Sequence, residues 1–512
     1  MSMFVGCDLG TSGVRATVVD GDGVVRGDAS REVPLYRPAA GQAEQDLVEM
    51  QKLAHAVIAE ALARAGSPKR VGAIAVSSQM SGIGAVDAQG APAMRYDSWL
   101  DNRCEPQIAS LADRAELVRR VSGCAPTYSH APKMLYWRDE RPDVWGRIRR
   151  FVSAGGYVAG CLAGLDADDM YLDRSYAHFT NLADIRTGEW SPELLEAVGL
   201  DDSRLPRLVE STDVIGEVTR EASELTGLPR GTPIVAGAGD TTASALGAGV
   251  TKVGQAYDVA GTASVLGFCV DSVPQLETVA GRSLVWSRGL VPGTFLALSF
   301  INGGGLALRW LRDECARELD EAGSYEQLIA DAAEIPVGAE GLLWFPHLQG
   351  QVLPPRPRSR AALLGITSRH GRAHVMRAIL EGIGLEYSRW AREVRSGLGI
   401  VPTEVRVVGG GAVSKVWNSI KSDAVGVPWV PVDRQECGVL GDAMLAAVAT
   451  GHGSWESVAR WQSTSAAMLP DADRSAQYQL LLHDYDRMVS AMEVLYGQSG
   501  FSGLEDERGH PQ

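Results

Sequence analysis

The 512-residue chain reads as an α/β protein in two domains, and three observations carry that reading. In both halves, β-prone apolar runs alternate with stretches whose apolar residues recur at helical spacing, the pattern of strands covered by helices. The length exceeds what one growing hydrophobic core holds, so two domains of roughly 200 to 250 residues each are expected. Each half also offers a strand that runs into an acid and a small-residue turn. One is Asp8-Leu-Gly10-Thr11-Ser12-Gly13; the other is Gly237-Ala-Gly239-Asp240-Thr241, after the apolar run 233–236. An acid at the carboxyl end of a buried strand is a common seat of chemistry in such folds.

Taken in order, residues 3–28 give a strand, a turn and a second strand, with a hairpin turn at Asp20-Gly-Asp-Gly23 and a return strand around 24–26. Leu47, Met50, Leu53, Ala54, Val57, Ile58, Ala61 and Leu62 share one face, so 44–65 is an amphipathic helix. A buried strand over 71–76 ends at Ser77-Ser-Gln79-Met80-Ser81-Gly82. Another turn carries Trp99-Leu-Asp101-Asn-Arg103, ahead of a helix over 105–121. Residues 132–200 read as helices and loops, with a small-residue helix over 153–162.

The cluster Leu228-Pro-Arg-Gly-Thr-Pro233 marks the domain boundary. Strands follow at 255–260 and 263–270, then a glycine-rich helix entrance at Asn302-Gly-Gly-Gly305 and a proline and arginine loop over 353–360. A helix from 374 to 394 precedes a strand over 404–408, which runs into Gly409-Gly410-Gly411. Helices at 414–425, 438–450 and 475–495 complete the chain. The expected units are therefore 1–232, 233–455, a helical segment 456–497 that packs back on the first domain, and a frayed, disordered tail 498–512.

A net charge of -15 argues against a nucleic-acid or anionic-membrane partner, because neither is favoured without a basic face. There is no leader-like start and no apolar run of membrane length, so a cytoplasmic protein is expected. The seven cysteines are an odd, scattered set without a CxxC pair, which indicates neither a disulfide framework nor a zinc knuckle.

Three glycine-rich turns each follow a strand: Gly10 to Gly13, Gly261-Thr262-Ala263 and Gly409 to Gly411. Glycine lets backbone N–H groups approach an anion and a hydroxyl adds a donor, which suits a phosphate chain; each turn alone is equally a tight connection. The P-loop pattern, the protein-kinase set, G-x-S-x-G and HExxH are absent from the sequence. His370 and His374 stand four apart, a spacing that fits a metal pair or two residues flanking a helix start. Asp240 reads equally as a helix N-cap or as a general base in phosphoryl transfer. Asp8 is either a strand-end acid or a partner of Mg²⁺ and its waters. Trp99, Tyr128 and Trp137 are core aromatics or the wall of a sugar pocket.

Together these stretches resemble the FGGY carbohydrate kinases, within the actin-like and hexokinase-like (ribonuclease H-like) ATPase fold. The resemblance runs from Asp8-Leu-Gly-Thr-Ser to about Gly451. Its most specific part is Ala361-Ala-Leu-Leu-Gly365-Ile, followed after seven residues by His374-Val-Met-Arg-Ala-Ile-Leu-Glu381, which fits the family's C-terminal signature. Pro132-Lys133-Met-Leu-Tyr-Trp137 is similar to its other signature.

The resemblance implies an N-terminal sugar-binding and a C-terminal nucleotide-binding domain with a cleft between them. It implies Asp240 as catalytic base, and Asp8 and Asp240 as the Mg²⁺ side. Thr11, Ser12 and Arg15 resemble the first phosphate loop, Gly261 and Thr262 the second. Gly304 and Gly305 fall beside the nucleotide, and Gly409, Gly410, Gly411 and Ala412 resemble the adenosine motif. Substrate contacts are implied for Gln79, Met80, Ser81, Trp99, Asp101, Tyr128, Asp240 and Thr241.

Departures gather in that last group. Xylulose kinases commonly read Gln-Met-His-Gly, Trp-Asn-Asp-Gly-Arg and Asp-Asn where this chain has Gln79-Met-Ser81-Gly, Trp99-Leu-Asp-Asn-Arg103 and Asp240-Thr241. Glycerol kinases place Arg-Glu at Met80-Ser81. The loop Leu348-Gln-Gly-Gln-Val-Leu-Pro also departs from the usual Gly-Glu-Arg-x-Pro.

The implied reaction is ATP- and Mg²⁺-dependent phosphorylation of a terminal hydroxyl, D-xylulose to D-xylulose 5-phosphate, in xylose metabolism. Another ketopentose, a 6-deoxyketose, a polyol or gluconate are the alternatives, as is a non-catalytic nucleotide-dependent binding protein of the same fold. Relatives imply a homodimer.

Overall fold

A computed structural model describes residues 2–274, 283–318, 324–356 and 358–497. It contains two six-stranded sheets built to one plan. The first holds β1 (Met3–Leu9), β2 (Gly13–Asp20), β3 (Val25–Glu32), β4 (Val71–Ser78), β5 (Val214–Glu217) and β6 (Pro233–Gly239), in the order β5-β6-β4-β1-β2-β3. β1 pairs antiparallel with β2 and parallel with β4, and β6 is parallel to β4.

The second sheet holds β7 (Gln255–Ala260), β8 (Ser264–Val270), β9 (Val285–Arg288), β10 (Phe295–Ile301), β11 (Glu404–Val408) and β12 (Trp429–Pro431), ordered β9-β10-β8-β7-β11-β12. Here too the first strand forms an antiparallel hairpin with the next and a parallel pair with a later strand. Each sheet thus consists of an antiparallel meander joined to parallel strands, which is the actin-like, ribonuclease H-like plan.

The central strands β1 and β4 are buried on both faces, as their continuous apolar runs dictate. α1 (Leu47–Arg64) shares their core, α2 (His130–Glu140) lies in a separate core with Ile83 and Phe151, and α3 (Ala154–Ala163) packs with α1 on the first sheet. α4 (Asp240–Gly247) follows β6 directly. α5 (Gly304–Cys315), α6 (Arg372–Leu398), α7 (Lys415–Val425), α8 (Cys437–Ala449) and α9 (Ala472–Gly497) come after. Asp46 caps α1, its carboxylate accepting from the amides of Val48 and Glu49.

The boundary expected at residue 232 is corrected by strand pairing. β6, which begins at Pro233, hydrogen-bonds into the first sheet, so the change of sheet comes after α4. The proline and glycine cluster ahead of it is only the connection from a short helix, Arg220–Thr226, to β6.

α8 likewise returns to the first domain. Leu440, Ala443, Met444 and Ala447 share a core with Phe4, Ala73 and Val235. It crosses α4 closely: a Cβ on Gly247 would lie 1.9 Å from the carbonyl of Cys437, and one on Gly441 1.9 Å from that of Ala243.

The expectation that 456–497 packs on the first domain is also corrected. Trp461 does lie on Phe4, but α9 belongs to the second core through Tyr478, Leu482 and Tyr485. Tyr478 donates to Glu381 and Tyr485 to Glu386, both on α6. The tail from 498 lies outside the described residues.

One helix is more broken than expected. The helix predicted over 105–121 is two short helices, Glu105–Ser110 and Ala115–Ser122, joined by a turn of 3-10 helix. β9 and β10 were not foreseen; their residues alternate too weakly to stand out from sequence alone.

Candidate active site

The acidic stretches converge on the ends of β1, β4 and β6. Asp240 is the first residue of α4, capped from before by Gly239. Its carboxylate accepts the Thr241 hydroxyl at 3.2 Å. Burial, with the Asp8 charge beside it, pushes the Asp240 carboxyl up to about 7, against the Thr241 hydrogen bonds. The N-cap alternative thus fails in detail: Asp240 sits one residue inside the helix, with its side chain turned to the acids.

Asp8 accepts the Ser77 hydroxyl at 2.9 Å and stands cross-strand from Arg15 on β2. Burial raises its carboxyl, while the Ser77 hydrogen bond and the Arg15 charge pull it down. Gly10 closes the turn by donating to Gly13, and Ser12 is exposed at its tip.

The turn 79–82 forms the adjoining wall. Met80 packs on Gly239, where a Cβ would lie 2.5 Å from its methyl, so only glycine lets this side chain lie beside the start of α4. Ser81 has φ 62°, a left-handed conformation held by a buried lysine. Lys133 Nζ donates to the carbonyls of Ser81 at 3.3 Å and of Ser98 at 2.6 Å. Gln79 donates to Gln45 at 2.6 Å and accepts from Thr11 and Ser98. Trp99 is 47% exposed and its indole N–H donates to the Thr11 hydroxyl at 2.7 Å, so it borders the cleft.

Asp101 is brought to this wall but not to its surface. Both its oxygens are taken by Arg103 and the Ala43 amide, so the carboxylate works inside the protein. Tyr128 is half-buried on the loop ahead of α2. Trp137 is a core residue whose indole donates to Asp97 at 2.6 Å.

The other two glycine turns, with Gly304 and Gly305, gather at the end of β7. Gly305 and Leu306 donate to the carbonyls of Gly261 and Thr262 at 3.1 Å, seating this turn on the start of α5. A Cβ on Gly305 would lie 2.3 Å from the Gly261 carbonyl, and one on Gly304 1.9 Å from the Ser264 hydroxyl. Gly409 (φ 87°) lies against Ala260, and Gly411 against the Trp417 ring. Asn418 donates to the Ala412 carbonyl, and Gln435 accepts from the Gly409 amide. Gly410 faces open space. One contact ties the two groups: Tyr257 of β7 donates to the Thr241 carbonyl at 3.4 Å.

His370 and His374 flank the start of α6, with ring centroids 5.4 Å apart. Each Nδ1 accepts a backbone amide, from Thr367 and Gly371.

Sequence reasoning missed three supports. Asp442, the single charged residue in α8, lies buried against Ser77; a lone acid amid Gly438, Gly441 and alanines was its signal. Asp173 accepts from Ser175, whose hydroxyl in turn accepts the Gly239 amide at 2.8 Å and so fixes the strand end before Asp240. Asp258 and Lys421 form a fully buried pair at 2.5 Å beneath the glycine turns. Neither of these last two has a local sequence signature.

The architecture and the paired acidic and glycine sites are those of a kinase built on the actin-like plan. The chain belongs to the FGGY family of carbohydrate kinases: residues 3–247 match the family's N-terminal domain and 256–450 its C-terminal domain. It is a phosphotransferase with an alcohol group as acceptor. It is 27% identical to the xylulose kinase of Bacillus subtilis over 96% of this chain and 97% of that one. To the gluconokinase of the same organism it is 26% identical, with 97% of each covered. The crystal structure of xylulose kinase from Rhodospirillum rubrum superposes with a TM-score of 0.90 at 28% identity, covering 97% of this chain and all of the other.

Proposed function

We propose that the protein transfers the γ-phosphoryl group of ATP to a terminal hydroxyl of a small neutral ketose, with D-xylulose giving D-xylulose 5-phosphate as the leading reaction. The observation that carries the reading is Asp240. It is a half-buried carboxylate beside Asp8, with a proton affinity near neutrality, at the mouth of the 79–82 turn. A base with that affinity is suited to accept a hydroxyl proton. As the acceptor oxygen bonds to the γ-phosphorus, the bond to the β-phosphate oxygen breaks and the hydroxyl proton passes to Asp240.

Thr11 and the backbone amides of the Gly10 turn face the phosphates from the first domain, and Gly261 and Thr262 from the second. Gly409 to Ala412 supply the adenosine platform. Among the described residues no three His, Cys, Asp or Glu side chains converge as a metal cage. Asp8 and Asp240, two oxygen donors without a buried cation partner, fit Mg²⁺, which takes its other ligands from phosphate and water. When bound, Mg²⁺ supplies charge neutralisation on the phosphates.

The acceptor's neutrality is argued from the wall. The cations nearest Ser81 are already committed, Lys133 to two carbonyls and Arg103 to Asp101 and Glu44. A sugar acid such as gluconate needs a charge partner that these do not offer. A polyol or another ketose fits the same wall.

Among the described residues no helix is long and apolar enough to cross a membrane, which supports a cytoplasmic enzyme. ADP release from MgATP across ketoses, polyols and sugar acids tests the reading. Stimulation by a neutral ketose is expected. Stimulation by gluconate alone would overturn the neutral-acceptor reading, and none by any acceptor would favour a nucleotide-dependent binding protein.

A further inference from the structure

Asp442 has no part in the reaction described above, yet it lies directly behind Asp8. It is wholly buried on α8, with Oδ2 2.7 Å from the Ser77 hydroxyl oxygen. That same hydroxyl oxygen is 2.9 Å from Asp8 Oδ1. Asp442 Oδ1 is buried and makes no hydrogen bond. Serine carries one hydroxyl hydrogen, so it cannot donate to two carboxylates together. If both acids were ionised, one of these short contacts would set lone pair against lone pair.

We infer that Asp442 is a positioning residue that stands as a neutral carboxylic acid, donating its own hydrogen to Ser77 so that Ser77 donates to Asp8. The hydrogens balance along the chain: Asp442 O–H to Ser77 Oγ, and Ser77 O–H to Asp8 Oδ1. The direction follows from surroundings. Asp8 is half-exposed and faces Arg15, whereas Asp442 is wholly enclosed. Burying an ionised carboxylate whose hydrogen bonds come from Ser77 alone, with no cation beside it, is far costlier than burying the acid, whose bare Oδ1 is then an ordinary carbonyl oxygen.

Burial, followed by the negative charges of Asp8 and Asp173, also holds the Asp442 carboxyl well above the usual range, although Ser77 opposes them. The consequence is a fixed rotamer for Asp8, with Oδ2 turned toward Gly10 and Gly438. The inference deepens the phosphate-side reading of Asp8 and rests on it for its kinetic effect only.

The test uses the full chain and two variants. Asp442→Asn keeps a hydrogen donor toward Ser77; Asp442→Ala removes it. In the ligand-free protein at mildly alkaline pH, infrared spectroscopy should show a protonated-carboxyl band that Asp442→Asn removes. With MgATP and the best acceptor, Asp442→Asn should keep kcat close to the parent. Asp442→Ala and Ser77→Ala should each lose about tenfold in kcat, the kinetic equivalent of one hydrogen bond, with acceptor KM unchanged. The double variant should be no worse than either single one.

Absence of the band in the parent, or its persistence in Asp442→Asn, would overturn the proton assignment whatever the substrate proves to be. Equal kcat loss in Asp442→Asn and Asp442→Ala would overturn the positioning role. If Asp8→Asn alone leaves turnover intact, the phosphate-side reading fails while the infrared result still stands.

Discussion

The two sheets share one plan and treat the acid on their first strand, Asp8 on β1 and Asp258 on β7, in opposite ways. In the second, Asp258 on β7 is wholly buried, but Lys421 lies 2.5 Å away, Tyr387 donates at 2.7 Å and the Trp429 indole at 3.2 Å. The Lys421 ammonium also sits 3.7 Å over the Trp417 ring, on which Gly411 rests. Around the end of the first sheet, Asp8, Asp442, Asp173 and Asp240 lie near one another, and among the described residues their partners are serine and threonine hydroxyls and amides, with the exposed Arg15 beside Asp8. A matched buried charge builds scaffold; unmatched acids keep high proton affinities and stand ready to take a proton or a cation. In the proposed reaction, the first domain carries the chemistry and the second the platform, and this difference is the support for that reading.

The largest expected effect breaks the comparison at Asp240. Replacing it with Ala removes a general base and should lower kcat by about 10²–10⁴-fold. In the parent, kcat/KM should rise as pH approaches about 7, because the base works only after losing its proton. A flat acid limb would remove Asp240 from the role.

Next comes Lys421. Lys421→Met leaves the Asp258 charge buried without a cation beside it, and denaturant melts should show a loss of about 3–5 kcal/mol. Adding Asp258→Asn should recover much of it. No recovery would mean that the lysine acts through packing on Trp417 instead of through charge.

Gly305→Ala sharpens the platform side. The new methyl must displace the Gly261 carbonyl, so the KM for ATP should rise while the acceptor KM holds. Equal rises in both would place this turn outside the nucleotide site.

A smaller effect concerns Asp173, whose carboxyl burial pushes up to about 7 despite hydrogen bonds from Ser175 and Ser211. The folded state then keeps a proton that the unfolded chain gives up from near its ordinary value. Stability from this group is present at acid pH and lost as pH rises toward 7. Asp173→Asn should flatten the fall of Tm across that window, leaving the parts due to Asp97, Asp240 and Glu393, which have the same direction. An unchanged slope would contradict the assignment.

What was legible in the sequence follows the same division. Strand-acid-turn stretches are local, so Asp8, Asp240 and the three glycine turns could be read from the chain. Residues that act through distant partners could not. Ser77 and Asp442 are 365 positions apart and Asp258 and Lys421 163 apart, and no local pattern pairs them. The domain boundary failed for a related reason: Pro229 to Pro233 looks like a linker, but the strand after it is held by β4, more than 150 residues earlier in the chain. Asp101, which the resemblance places among the substrate contacts, is closed over by Arg103 in the structure.

The most direct test of the account is single-turnover phosphoryl transfer by Asp240→Asn beside the parent, with MgATP affinity measured on the same samples. Asparagine keeps the size of the side chain and one acceptor oxygen for Thr241, and loses the negative charge and the ability to take a proton. The account predicts transfer lost by at least two orders of magnitude with ATP affinity retained. Transfer at the parental rate would contradict it, and would move the chemistry away from the unmatched acids of the first sheet.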